Sequence, residues 1–131
     1  MGKITKPIID LEGQPTEPSW YPIVTKYNCE QSYLKQVLEG LKGKGLEEKI
    51  VDTFAPIREY TVITTTKTGK EKERLKKEKI LPNYAFVKAV MSEEVWDYLR
   101  TRNGASTVLV TGGIPCCISE EEIEKMKKLC E

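Results

Sequence analysis

Hydrophobic and polar residues alternate along this chain in two rhythms, a period of two that marks strands and a period near 3.6 that marks helices. Residues 19–27 are rich in aromatic and β-branched side chains and predict a first strand. Pro22 within it cannot donate a ladder hydrogen bond, which points to an edge or a bulge. Asn28 has the chemistry of an N-cap, with Gln31 three positions on and Glu30 near the positive helix end. Tyr33, Leu34, Val37, Leu38 and Leu41 then recur at helical spacing as a core-facing stripe, ended by Gly43 and Gly45. Residues 50–56 and 59–66 are β-rich runs parted at Pro56, and 67–69 carry turn chemistry.

Residues 84–91 predict a buried strand. Ser92 opens a second helix carrying Val95, Trp96 and Leu99, which Asn103 and Gly104 close. Residues 107–111 supply one more strand and Gly112-Gly113 a turn, after which Ser119 and Glu122 form a capping box for a helix with Ile123, Met126 and Leu129. In order this is an α+β pattern matching a split βαβ, ferredoxin-like antiparallel sheet with helices on one face. Pro7, Gly13, Pro15 and Pro18 punctuate residues 1–18 without a period, so a flexible leader is expected there and a single domain over 19–131.

The chemistry narrows the function by exclusion. The 131 residues are 39% hydrophobic and 31% charged, with a formal net charge of +1. That composition supports one core and gives no global field toward nucleic acid or an anionic membrane. There is no histidine, which removes the usual general base and the commonest metal ligand. The longest apolar stretches fall far short of the roughly 20 residues that span a bilayer, and the N-terminus has no signal-peptide core, so an intracellular, cytoplasmic protein is expected. Cys29, Cys116, Cys117 and Cys130 match neither a zinc knuckle nor a disulfide framework and are read as reduced, partly buried thiols. No catalytic residue, metal site or cofactor is expected, and Glu120, Glu121 and Glu122 suit the positive end of a helix without a catalytic role.

Two segments keep an interaction open. Residues 67–79 hold seven basic residues against three acidic ones, suited to tracking a phosphate backbone or equally to a solvated hairpin arm. Residues 80–87 (ILPNYAFV) cluster a tyrosine and large apolar groups around a proline turn, either as core or as an exposed anchor for a protein partner.

These pieces together resemble the N-terminal (NGN) domain of the NusG family of transcription elongation factors. The resemblance runs from Trp20-Tyr21 through the amphipathic helix and Phe54-Ala55-Pro56 to residues 79–87 (KILPNYAFV), then through 96–100 (WDYLR), Gly104 and 118–123 (ISEEEI). It covers about residues 19–129, and the order and spacing of the pieces carry it. It implies a non-enzymatic elongation and antitermination domain that binds the clamp helices of RNA polymerase, bridges the DNA cleft and modulates pausing and processivity. The positions matching the family's docking surface are Val24, Leu81, Pro82, Tyr84 and Phe86, and those facing the nontemplate DNA strand are Lys26, Arg100, Thr101, Arg102 and Asn103. A monomer is implied, with no membrane and no small-molecule substrate.

Three departures from the family pattern bear on this, the first being Pro22, which stands where the family's first strand has a β-branched or apolar residue. Pro82-Asn83-Tyr84 stands where most members have Pro-Gly-Tyr, and the Asn form is similar to RfaH-type specialised paralogues. Members usually continue into a β-barrel KOW domain, and none is expected within the residues up to Glu131. The alternative from another class is a free-standing RNA-binding module on the same sheet, with Tyr21 or Tyr27 as a stacking platform.

Overall fold

The computed structural model describes residues 11, 13–111 and 114–131. Its elements are β1 (Ser19–Thr25), α1 (Glu30–Lys44), β2 (Ile50–Phe54), β3 (Ile57–Thr65), β4 (Glu71–Lys79), β5 (Tyr84–Ala89), α2 (Glu93–Thr101), β6 (Ala105–Val108), β7 (Val110–Thr111), β8 (Ile114–Pro115) and α3 (Glu120–Leu129). Four strands form an antiparallel sheet in the order β2-β5-β1-β6, while among the described residues β3 and β4 pair only with each other, as do β7 and β8. The α+β architecture expected from the sequence is the one observed.

Alternation in the two central strands decides where the helices go. Tyr21, Ile23, Ala85, Val87 and Ala89 point to one face and pack with Tyr33, Val37, Val95, Leu99 and Val108 beneath α1 and α2. Trp20 and Phe86 point to the other face and pack with Ile123 of α3. The expectation of helices on one face is therefore corrected. Both faces of β1 and β5 are apolar, so each needs its own cover.

The two helices of the first face approach closely. Tyr33 donates its hydroxyl to the Leu99 carbonyl at 2.8 Å, and Tyr98 donates to the Val37 carbonyl at 2.5 Å. Burial pushes both phenols above their ordinary pKa. Gly40 makes room for this crossing, because a Cβ there would collide with the Tyr98 hydroxyl. Ser92 and Ser119 cap α2 and α3 by accepting from the backbone N–H of Val95 and Glu122.

Several local expectations change. Cys29, not Asn28, is the N-cap of α1 and makes no side-chain cap, while Asn28 takes a left-handed φ of 59° one residue earlier. Leu38 belongs to the apolar stripe of α1 yet is 52% exposed, and Leu129 of α3 is 59% exposed. Pro22 lies in a central strand, between β5 and β6, rather than at an edge. Its carbonyl accepts from the N–H of Leu109, just past the end of the β6 ladder, so its nitrogen faces the same side and β5 loses no donor. A bulge does occur in β1, between Val24 and Thr25.

Residues 67–70 of the basic segment form the turn and 71–79 the strand β4, which pairs with β3 as an exposed hairpin arm. Of the leader, residues 1–10 and 12 lie outside the described residues, as does the Gly112-Gly113 turn. Within 11–18, Leu11 packs on the first core, and Gln14 accepts from the Tyr21 hydroxyl at 2.7 Å and donates to the Pro115 carbonyl at 3.2 Å. The four cysteines form no disulfide; Cys117 is exposed and the others half-buried. No helix among the described residues is long and apolar enough to cross a membrane.

Candidate interaction surface

The second sheet face carries an aromatic row. Phe54 of β2 lies opposite Phe86 of β5, and Phe86 is two residues from Tyr84, so the period of two aligns all three rings. Ring centroids are 6.2 Å apart for Phe54 and Phe86 and 6.5 Å for Tyr84 and Phe86, with interplanar angles of 27° and 18°. The register Pro22↔Phe86 and Val24↔Tyr84 extends the same face onto β1.

α3 covers only part of it. Trp20 and Phe86 are buried against Ile123, while Phe54, Tyr84 and Val24 stay half-buried. Leu81 and Pro82 follow as exposed residues of the β4–β5 turn. Four of the five expected docking residues are thus accessible: Val24 and Tyr84 on this face, and Leu81 and Pro82 in the turn that leads into it. Phe86 is corrected from a contact to a floor; at 1% exposed it supports Tyr84 and Phe54 from below.

The turn that presents Leu81 and Pro82 is tied down at both ends. Ile80 donates its N–H to the Pro56 carbonyl and Thr25 donates to the Asn83 carbonyl, each at 2.8 Å. Asn83 adopts φ 66°, a left-handed conformation that asparagine tolerates better than most residues. Beneath it sits Glu30, 2% exposed, which pairs with Lys79 at 3.1 Å and accepts from the Asn83 N–H at 3.3 Å. Burial pushes the Glu30 carboxyl up, but hydrogen bonds from backbone N–H groups and Lys79 outweigh it and hold the pKa below its usual value. Lys79 also bonds Asn28 and lies 5.2 Å above the Tyr27 ring.

At the covered end, Glu120 latches α3 to the sheet by accepting from the Trp20 indole at 2.8 Å and pairing with Lys88. The Lys88 bond, followed by the indole bond, lowers its pKa. Lys127 stands at the boundary of the two halves, 5.4 Å from the Trp20 ring and 5.9 Å from Phe54.

The second expected cluster lies at the junction of β1 with the α2–β6 loop. The Lys26 N–H donates to the Gly104 carbonyl at 2.8 Å, which brings Lys26 beside the Asn103-Gly104 turn; both Lys26 and Asn103 are exposed. The other three are engaged within α2. Arg100 pairs with Asp97 through Nε at 3.0 Å and NH2 at 2.8 Å. The Thr101 hydroxyl donates to the Asp97 carbonyl at 2.6 Å. Arg102 donates to the Tyr98 carbonyl at 3.1 Å and lies 4.4 Å from the Tyr98 ring centroid. Arg100, Thr101 and Arg102 also line an open cleft of about 430 Å³ with Lys44, Glu94 and Asp97.

Sequence reasoning missed Phe54, Glu30, Glu120 and Lys127 as parts of this surface. Phe54 alone left a signal, an aromatic residue at the end of a β-rich run beside a proline. The others act through neighbours 32 to 107 positions away in the chain, which no local pattern encodes.

Known proteins share the sequence pattern and the fold. A family model described as "Transcription termination factor nusG" matches residues 18–127. The curated Transcription termination/antitermination protein NusG of Chlamydia pneumoniae is 28% identical over 108 residues, covering 82% of this chain and 56% of that protein. Its namesake from Bacillus subtilis (strain 168) is 28% identical over 97 residues, covering 74% of this chain and 52% of that protein. The chain therefore spans about half the length of the curated relatives it matches. A solved structure described as "Domain interaction in Thermotoga maritima NusG" superposes with a TM-score of 0.66 at 19% identity, covering 86% of this chain and 56% of that one, a likeness of fold.

Proposed function

The chain belongs to the NusG family, and from that premise we propose that it is a non-enzymatic elongation and antitermination domain whose open sheet face docks on the clamp helices of RNA polymerase. The observation that carries the proposal is the half-covered aromatic row. Phe54 and Tyr84 flank a buried Phe86, and Leu81 and Pro82 project beside them from a turn pinned by Glu30. Aromatic and aliphatic anchors on a rigid sheet bury against a helical tip with little ordering entropy. Val24, Leu81, Pro82 and Tyr84 make the contact, and Phe86 sets the height of the Tyr84 ring.

Docked this way, the domain bridges the DNA cleft in the cytoplasm as a monomer and modulates pausing and processivity. Lys26 and Asn103 meet the nontemplate strand first, because Arg100 and Arg102 must leave Asp97 and Tyr98 before gripping phosphate. The test is a binding titration of the full chain against core RNA polymerase. Leu81→Glu combined with Tyr84→Ala is expected to weaken binding about thirtyfold or more, the scale of a lost hot spot. Undiminished binding by that variant overturns the docking face.

A further inference from the structure

β3 and β4 pair residue for residue from Ile57↔Lys79 to Thr65↔Glu71, a ribbon of nine residues per strand and about 30 Å long. Directly opposed residues share a face. One face therefore holds Arg58, Tyr60, Val62 and Thr64 with Lys72, Arg74, Lys76 and Glu78. The other holds Glu59, Ile63, Glu71, Glu73 and Leu75 with Lys77 and Lys79. The interleaved lysines and glutamates of β4 are thus sorted by the pleat into a cationic and a mixed face.

Pairing sharpens the difference. On the mixed face Lys77 pairs with Glu59 at 3.8 Å and Lys79 with Glu30 at 3.1 Å, and Lys77 also reaches Gln31, which turns the root of that face toward α1. On the cationic face Glu78 pairs with Arg58 at 3.7 Å. Lys72, Arg74 and Lys76 have no acidic partner among the described residues, and all three are exposed.

We infer that this cationic ribbon face is a binding site for the phosphate backbone of duplex DNA. Its three cations recur every second residue, about 6.7 Å apart, the order of the spacing between successive phosphates. The ribbon spans about nine base pairs at 3.4 Å each. A two-stranded ribbon fits the major groove of B-form DNA, whereas the deep, narrow major groove of A-form RNA excludes it. A single strand is a poor fit, because it calls for a run of stacking rings. This face has one aromatic residue, Tyr60, and the Arg58 guanidinium lies 5.5 Å from its ring centroid. The site is independent of polymerase docking, since it lies on a separate sheet and is measured without polymerase.

The experiment is fluorescence anisotropy of the full chain with a 30-base-pair duplex across a salt series. Lys72→Gln, Arg74→Gln and Lys76→Gln combined are expected to weaken low-salt binding about tenfold or more and to flatten the log K against log salt slope by about 2.7. Lys72→Arg with Lys76→Arg retains the wild-type slope, as does Ile63→Ser with Leu75→Ser on the opposite face. An unchanged slope in the triple Gln variant, loss of binding in the Arg variant, or tighter binding of a duplex RNA or a single strand overturns the inference.

Discussion

The two ends of one sheet face begin from the same chemistry and end differently. At the Trp20 end the rings are sealed: α3 lays Ile123 on them, Glu120 latches to the indole and Lys88, and Trp20 and Phe86 are 2% and 1% exposed. At the Tyr84 end the aromatic row continues without a lid, Val24 stays half-buried, and Leu81 and Pro82 are exposed in the adjoining turn. Apolar content does not separate the halves. The reach of a ten-residue helix does, so the same alternation that builds a core at one end leaves an anchor at the other.

That contrast breaks if the open half proves to be core. Ile123→Asp is expected to have the largest effect, about 4 kcal/mol or more in urea unfolding, because it buries a carboxylate without a partner. The Leu81→Glu and Tyr84→Ala pair, chosen to weaken polymerase binding, is expected to cost under about 1.5 kcal/mol by the same measurement. A cost equal to that of Ile123→Asp makes the two halves one core.

The support of the open half is tested next. Glu30→Gln is expected to cost about 1–3 kcal/mol at neutral pH by removing charge-assisted bonds to Lys79 and Asn83. Because the folded Glu30 pKa lies below the ordinary 4.5, its contribution is complete above that value and disappears as pH falls through the lower, folded one. The stability difference between wild type and Glu30→Gln should therefore narrow below pH 4.5, and a difference that widens on acidification contradicts the clamp. Lys127→Ala is the mildest change, about 0.5–1 kcal/mol from the cation over Trp20 and Phe54, read as a small drop in melting temperature.

Much of this was legible before any coordinates. The strand and helix periods placed β1, α1, β5, α2 and α3 because each buries one stripe and the pattern is local. Ser92 and Ser119 were readable as caps for the same reason. Asn28 was not, since its left-handed backbone is set by the chain's return into α1 and its side chain by Lys79, 51 residues away. Pro22 suggested an edge, because the sequence records a missing donor and not the direction in which that donor would have pointed. Phe86 and Tyr84 read alike as apolar strand residues, and only their position relative to α3 makes one a floor and the other a rim.

The order of hydrophobic and polar residues by itself determined the α+β class, the family pattern and the apolar turn around Pro82, because each depends on neighbours a few residues apart. The tertiary structure alone decided which aromatic rings are sealed, that Glu30 sits beneath the turn, and that Lys72, Arg74 and Lys76 face away from Glu71 and Glu73. Those outcomes depend on strand pairing and on the reach of α3, and exposure and charge balance are properties of surfaces that distant segments build together.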